Sequence, residues 1–211
     1  VEMLGEAYKD YLIIDVGGGY GLFAEEMKKI NGSSPLVIEP GPGLAEACRE
    51  KGIEVIEKFL EDVQPQDLPE GPKVFVSFEL FEHLHDPNKF LKNLYQVMNK
   101  GDIFIFTTLS GSGLDIKALW SNSNSIQPPM HLNFCNPISI KEILSKSGFT
   151  PLEVSTPGKL DLDILSNNSE SLRDPFWKLL VENSTEDQKK DLQKIFSDIG
   201  LSSHMMSISI K

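Results

Sequence analysis

The sequence predicts an α/β fold in which a mostly parallel sheet is covered by helices on both faces. Short apolar runs alternate with stretches of helical periodicity along the chain, the pattern of strands linked by crossover helices. The runs are continuous and rich in β-branched residues, as strands buried on both faces must be. The first of them, Leu12-Ile13-Ile14-Asp15-Val16, leads directly into Gly17-Gly18-Gly19-Tyr20-Gly21, which reads as a tight strand-to-helix turn. With 211 residues and 40% hydrophobic content the chain can bury one substantial core, and residues 1–211 are expected to form a single domain.

Five strands are expected at Tyr11–Val16, Leu36–Ile38, Glu54–Ile56, Val74–Ser77 and Ile103–Thr107. Helical spacing links Leu22, Phe23, Met27 and Ile30; then Leu44, Ala47 and Cys48; then Phe90, Leu91, Leu94, Tyr95 and Met98. Asp86-Pro87 suits the start of that third helix, with Asp86 as N-cap and Pro87 in the first turn. Ser110–Pro129, rich in Ser, Asn, Gly and Pro, reads as a long functional loop with one short helix inside it. Asn136-Pro137 opens a further helix carried by Ile140, Ile143 and Leu144 and stopped by Gly148. Phe149–Ser155 and Ser203–Ile210 complete a set of seven strands. Between those two, residues 157–201 exceed what a hairpin needs. Phe176, Trp177, Leu179 and Leu180, and then Leu192, Ile195, Phe196 and Ile199, predict two inserted helices. These either pack over the sheet edge or help to shape a substrate pocket.

Composition narrows the function classes. A formal net charge of −11 supplies no basic face to neutralise phosphates, which excludes a nucleic-acid partner. Two cysteines, Cys48 and Cys135, lie far apart in sequence and fit a reducing compartment better than a disulfide framework. Apolar runs long enough to cross a bilayer and a basic-then-apolar leader are both missing from the sequence. A cytoplasmic protein without a membrane partner is expected.

The chemistry concentrates at strand ends. After the glycine turn, Pro35-Leu36-Val37-Ile38-Glu39-Pro40 reads as a neighbouring strand ending on a carboxylate. Glycines allow close backbone approach to a ligand, and a carboxylate at the next strand's tip can accept both ribose hydroxyls. An adenosine-containing ligand is therefore expected. A dinucleotide fingerprint counted from Gly17 would need glycine where Leu22 stands, which disfavours a nicotinamide-dependent oxidoreductase.

The spacing Asp15, Gly17, Gly19, Gly21 resembles the first motif of the class I S-adenosylmethionine-dependent methyltransferases. The stretch Ser77-Phe78-Glu79-Leu80-Phe81-Glu82-His83-Leu84-His85-Asp86-Pro87 is similar to a segment of their small-molecule members. The resemblance covers about Tyr11 to Ser155 plus the final strand. It implies a Rossmann-like seven-stranded sheet whose last two strands pair antiparallel at the edge. S-adenosyl-L-methionine would be the cofactor and S-adenosyl-L-homocysteine the product. Asp15, Gly17, Gly18, Gly19, Gly21, Glu39 and Pro40 would bind it, with Phe59 covering the adenine and Phe78 and Glu79 beside the methionine part. His83 would lie near the transferred methyl. His131, in Pro128-Pro129-Met130-His131, would face the acceptor, and either histidine suits a general base. Each also has a purely structural reading, as a helix-start residue or a loop anchor. The family usually carries helices ahead of the first strand, so with only ten residues there such helices are expected to be missing from this sequence.

The acceptor expected is a small polar or sugar-like metabolite. A catalytically silent cofactor-binding subunit is the alternative from another class. No metal site is expected. His83, His85 and Asp86 lack the distant ligands that such a site needs, and Asp161 and Asp163 read as solvated acids.

Overall fold

The structure is a computed structural model that describes residues 10–211. Its centre is a seven-stranded sheet: β1 (Leu12–Val16), β2 (Leu36–Ile38), β3 (Val55–Ile56), β4 (Lys73–Phe78), β5 (Ile103–Leu109), β6 (Thr150–Ser155) and β7 (His204–Ile210), in the order β3-β2-β1-β4-β5-β7-β6. Strands β1 to β5 pair in parallel, Asp15 opposite Val37 on one side and Val76 on the other. Only β7 runs against its neighbours, lying between β5 and β6. The antiparallel pair expected at the edge is thus seated with β7 inside and β6 outermost.

Eight α-helices accompany the sheet among the described residues: α1 (Leu22–Asn31), α2 (Pro42–Glu50), α3 (Pro87–Val97), α4 (Leu114–Leu119), α5 (Pro137–Lys146), α6 (Asp161–Asn167), α7 (Pro175–Asn183) and α8 (Glu186–Asp198). Helix α3 begins as its sequence requires: the Asp86 side chain accepts from the Lys89 amide, and Pro87 occupies the first turn. It buries Phe90, Leu91 and Leu94 against β5 and β4, where Phe104 and Phe106, on one face two residues apart, stack at 4.9 Å. Burial of such side chains contributes about 1.5–3 kcal/mol each.

Helix α1 forms as its spacing requires, with Ala24 buried and Leu22 and Ile30 exposed. One expectation about helices is corrected. The insertion holds three α-helices, not two, because Asp161 starts α6 and is buried with it. Asp161 is therefore no solvated acid; Asp163, two residues on, is exposed as expected.

Strand order reverses between β1 and β4, one leading outward to β2 and the other to β5. Loops leaving the carboxyl ends of β1 and β4 therefore diverge and leave a crevice, the usual ligand position in such sheets. Ser77 pins that fork, its hydroxyl donating to the Val16 carbonyl at 3.0 Å. The question of helices ahead of β1 falls on residues outside those described.

Candidate cofactor and acceptor site

The turn after β1 is shaped by its glycines. Gly17, Gly19 and Gly21 have φ of +72°, +55° and +69°, a region that side chains with a Cβ rarely enter. They differ in what surrounds them. A Cβ on Gly17 would strike Leu80 and one on Gly21 would strike Cys48, whereas Gly19 faces open space. Gly18 has an ordinary φ but no room: a Cβ there would stand 2.8 Å from both Asp15 Oδ2 and Val37 Cγ1. The turn thus presents its backbone outward at Gly19 and packs down elsewhere.

Two carboxylates lie beneath it. Glu39, at the tip of β2, is 6% exposed; its Oε2 accepts the Gly19 amide at 3.0 Å and its Oε1 the Gly41 amide at 2.8 Å. Each oxygen keeps a free lone pair, and the two loops are tied into one rim. Asp15 is 2% exposed, and its Oδ2 has no hydrogen-bond partner among the described residues. Burial, with the charge of Glu39 second, pushes the Asp15 carboxyl up to about 7. A buried, unpaired carboxylate oxygen beside a second acid calls for a cationic or hydrogen-bonding ligand. These features fit S-adenosylmethionine, which carries ribose hydroxyls, an ammonium and a sulfonium. Pro40 follows Glu39, half-buried. Phe59 is 61% exposed at the start of a 3-10 turn, Leu60–Asp62, after β3.

The end of β4 supplies the other wall. Phe78 lies 4.9 Å from Phe23 of α1, ring centre to ring centre. Glu79 follows with φ +50°, a strained value for a glutamate and of a kind that gathers at functional sites. Its Oε1 accepts from Thr107 Oγ1 at 2.6 Å and lies 3.3 Å from His204 Nδ1. Beyond it a 3-10 turn, Phe81–His83, holds the segment around residue 131: the Leu132 and Asn133 amides donate to the Glu82 carbonyl, and Asn133 Nδ2 to the carbonyls of Phe81 and Leu84. His83 and His131 meet there, ring centres 4.8 Å apart. His83 Nδ1 bonds the Met130 carbonyl and His131 Nδ1 the Ser125 carbonyl. Since a carbonyl only accepts, each Nδ1 carries a proton, which in the neutral imidazole leaves the lone pair on Nε2. Glu82 is buried beside them and accepts from Thr108 Oγ1 at 2.9 Å; burial, helped by the charge of Glu79, holds its carboxyl above the usual range.

The fold therefore brings Asp15, Gly17, Gly18, Gly19, Gly21 and Glu39 to one rim and His83 with His131 to one cluster. His85 and Asp86 remain exposed, Asp86 committed to capping α3. Sequence reasoning passed over Glu82, Thr107, Thr108 and His204. The glutamate has a signal, standing three residues after Glu79 and directly before His83. Thr107, Thr108 and His204 have none, since pairing of β5 with β7 is what places them.

A mostly parallel sheet with a glycine turn and strand-end acid at its switch point defines the class I S-adenosylmethionine-dependent methyltransferase fold. A family model described as a methyltransferase domain matches residues 4–154. The chain belongs to that methyltransferase family. No curated protein matches it. Among solved structures it resembles a methyltransferase from Archaeoglobus fulgidus, dependent on S-adenosylmethionine, with a TM-score of 0.63 at 17% identity over 100% of this chain and 90% of that one. It also resembles a S-adenosylmethionine-dependent methyltransferase from Thermotoga maritima, with a TM-score of 0.60 at 16% identity over 95% and 81%. A third is phosphoethanolamine N-methyltransferase 2 from Haemonchus contortus, in complex with S-adenosylhomocysteine, at 0.55 and 16% over 95% and 48%. No helix among the described residues is long and apolar enough to cross a membrane.

Proposed function

We propose that the chain transfers the methyl group of S-adenosylmethionine to a small polar or sugar-like acceptor in the cytoplasm. The observation that carries this is the pair of buried acids, Asp15 and Glu39, set under the open backbone of Gly19. Glu39 would accept the ribose hydroxyls through the lone pairs its two backbone bonds leave free, while Asp15 favours the cationic methionine end. Phe78 and Glu79 would border that end. The cofactor supplies a methyl on a positively charged sulfur, open to direct displacement. The protein's task is then to hold the nucleophile in line with that methyl at near-attack distance.

A cavity of about 500 Å³ supports the choice of a small acceptor. It is lined by Leu109, Ser125, Lys159, Asp161, Ile164 and His204, among others. Two of its lining residues touch the site: His204 lies against Glu79, and the Ser125 carbonyl holds His131. On this reading helix α6 of the insertion shapes the acceptor pocket. The free cysteines, Cys48 buried and Cys135 half-buried, suit the reducing compartment.

Calorimetry tests the assignment. Wild-type protein is expected to bind S-adenosylhomocysteine, and Glu39→Ala to bind it more weakly by about 1–3 kcal/mol, or roughly 5- to 150-fold. Unchanged affinity in Glu39→Ala would remove the ribose role. Binding of NAD(H) with indifference to S-adenosylhomocysteine would remove the reading itself.

A further inference from the structure

We infer that Glu82, His83 and His131 form a divalent metal site on the acceptor side of the cofactor cleft, and that the nucleophile it serves is an oxygen. This rests on the proposed methyl transfer. One ligand atom from each of the three side chains lies within 4.8 Å of the others. Adjacent ligand atoms around a first-row divalent ion, with bonds of about 2.0–2.2 Å, stand roughly 3 Å apart, so modest side-chain rotation closes the set. Two neutral imidazoles and one carboxylate are a borderline-hard, nitrogen and oxygen donor set that leaves coordination positions open for substrate.

The surroundings are those of a supported site rather than a chance cluster. Both Nδ1 atoms are tied to backbone carbonyls, His83 to Met130 and His131 to Ser125, which fixes the tautomer and aims each Nε2 lone pair. Glu82 is 2% exposed and held by Thr108 Oγ1. Outer contacts of this kind orient ligands and raise their basicity. Glu79 stands three residues before Glu82 and adds negative charge beside it, which a cation between Glu82 and the histidines offsets. A general-base pair explains less. It needs one imidazole with a free lone pair, while the fold brings two within 4.8 Å, ring centre to ring centre, and adds a buried acid.

The chemistry selects the acceptor atom. A hydroxyl bound at an open position loses its proton to solvent more easily because the adjacent charge stabilises the alkoxide. Its oxygen pair then forms the O–CH3 bond as the S–CH3 bond breaks, and that bond's electrons remain on sulfur in the departing S-adenosylhomocysteine. A small acceptor carrying a hydroxyl, with a second oxygen able to fill a neighbouring position, is the substrate class this geometry suits.

Cobalt(II) is the probe, because its visible absorption reports bound nitrogen and oxygen ligands directly. Metal-stripped wild-type chain is expected to take up one Co2+ with a saturable change in absorption, displaced by Zn2+. His83→Ala and His131→Ala are expected to weaken uptake by about tenfold or more, and Thr108→Val, which leaves all three ligands in place, by about tenfold. S-adenosylhomocysteine affinity, measured on the same samples, is expected to change less than about threefold, which separates loss of the metal site from loss of fold or of the cofactor site. Absence of saturable uptake by the wild type overturns the proposal, as does uptake that both histidine variants retain. Loss of S-adenosylhomocysteine binding in the wild type would instead overturn the reading on which it rests.

Discussion

Asp161→Ala is expected to destabilise the protein by about 3–5 kcal/mol, while Asp163→Ala, two residues along the same helix, changes stability by less than about 0.5 kcal/mol. The asymmetry follows from what each carboxylate touches. Asp163 is exposed. Asp161 is 2% exposed and accepts from the Ser202 hydroxyl at 2.6 Å, the Ser203 amide at 2.8 Å and Gln193 Nε2 at 2.7 Å, with the Ser203 hydroxyl bridging it to Asp115. Through these bonds one side chain fastens α6 to α8, to the start of β7 and to α4. Removing it strands the Ser203 amide and the Ser202 hydroxyl without their acceptor, each costing about 1–3 kcal/mol in a buried setting. Gln193 loses less, because Nε2 also donates to the Gly158 carbonyl at 2.9 Å and Oε1 still accepts the Leu162 amide. Relief of repulsion on Asp115, whose carboxyl burial and the neighbouring Asp161 both push upward, returns part of the loss. For a chain of this size the midpoint of thermal unfolding should fall by at least about 6 °C. Equal melting curves for the two alanine variants would show that the insertion is not anchored through Asp161.

That anchor marks the boundary of what the sequence discloses. Elements whose reasons are local were readable: an apolar run ending in glycines at positive φ for β1, Asp86-Pro87 for the start of α3, Asn136-Pro137 for the start of α5. Helix α6 was not readable, because the acid that opens it is satisfied by Gln193, Ser202 and Ser203, far along the chain. As a string of residues, Asp161 and Asp163 are alike; the fold separates them. The exposed Leu22 and Ile30 make the same point from the other side, since helical periodicity identifies an apolar face but not what covers it. In the candidate site, the meeting of the glycine turn with Glu39 was legible because β1, its turn and Glu39 lie within one strand-helix-strand unit. The cluster beyond β4 was only half legible. His83 and His131 could be named as candidates, but their meeting, and the placing of Glu82 between them and Thr108, come from the β4–β5 pairing and the loop clasped by Asn133.

S-adenosylhomocysteine affinity is expected to rise about tenfold per pH unit between about pH 5 and pH 7 and to level off above that, while the stability of the ligand-free protein moves the opposite way. Both slopes come from Asp15. Its folded carboxyl titrates at about 7, against an ordinary value of 3.8. Across that interval the ligand-free folded protein keeps a proton on Asp15 that the unfolded chain has released, so the contribution to stability is full below about pH 4 and declines by about 1.4 kcal/mol per unit as pH rises toward 7. The ligand's ammonium stays protonated over the same range and favours the ionised carboxylate, so binding below pH 7 must expel the Asp15 proton. Each unit of acidification then costs a factor of ten in affinity. Asp15→Asn removes the titration, and its expected signature is a flat affinity profile together with a shallower decline of melting temperature. Glu82 and Asp115, also raised by burial, contribute to the stability slope of both proteins, so the difference between wild type and Asp15→Asn isolates the one carboxyl. A wild-type affinity that is constant from pH 5 to 7, or a slope that survives in Asp15→Asn, would mean that this acid shapes the glycine turn without facing the charged end of the ligand.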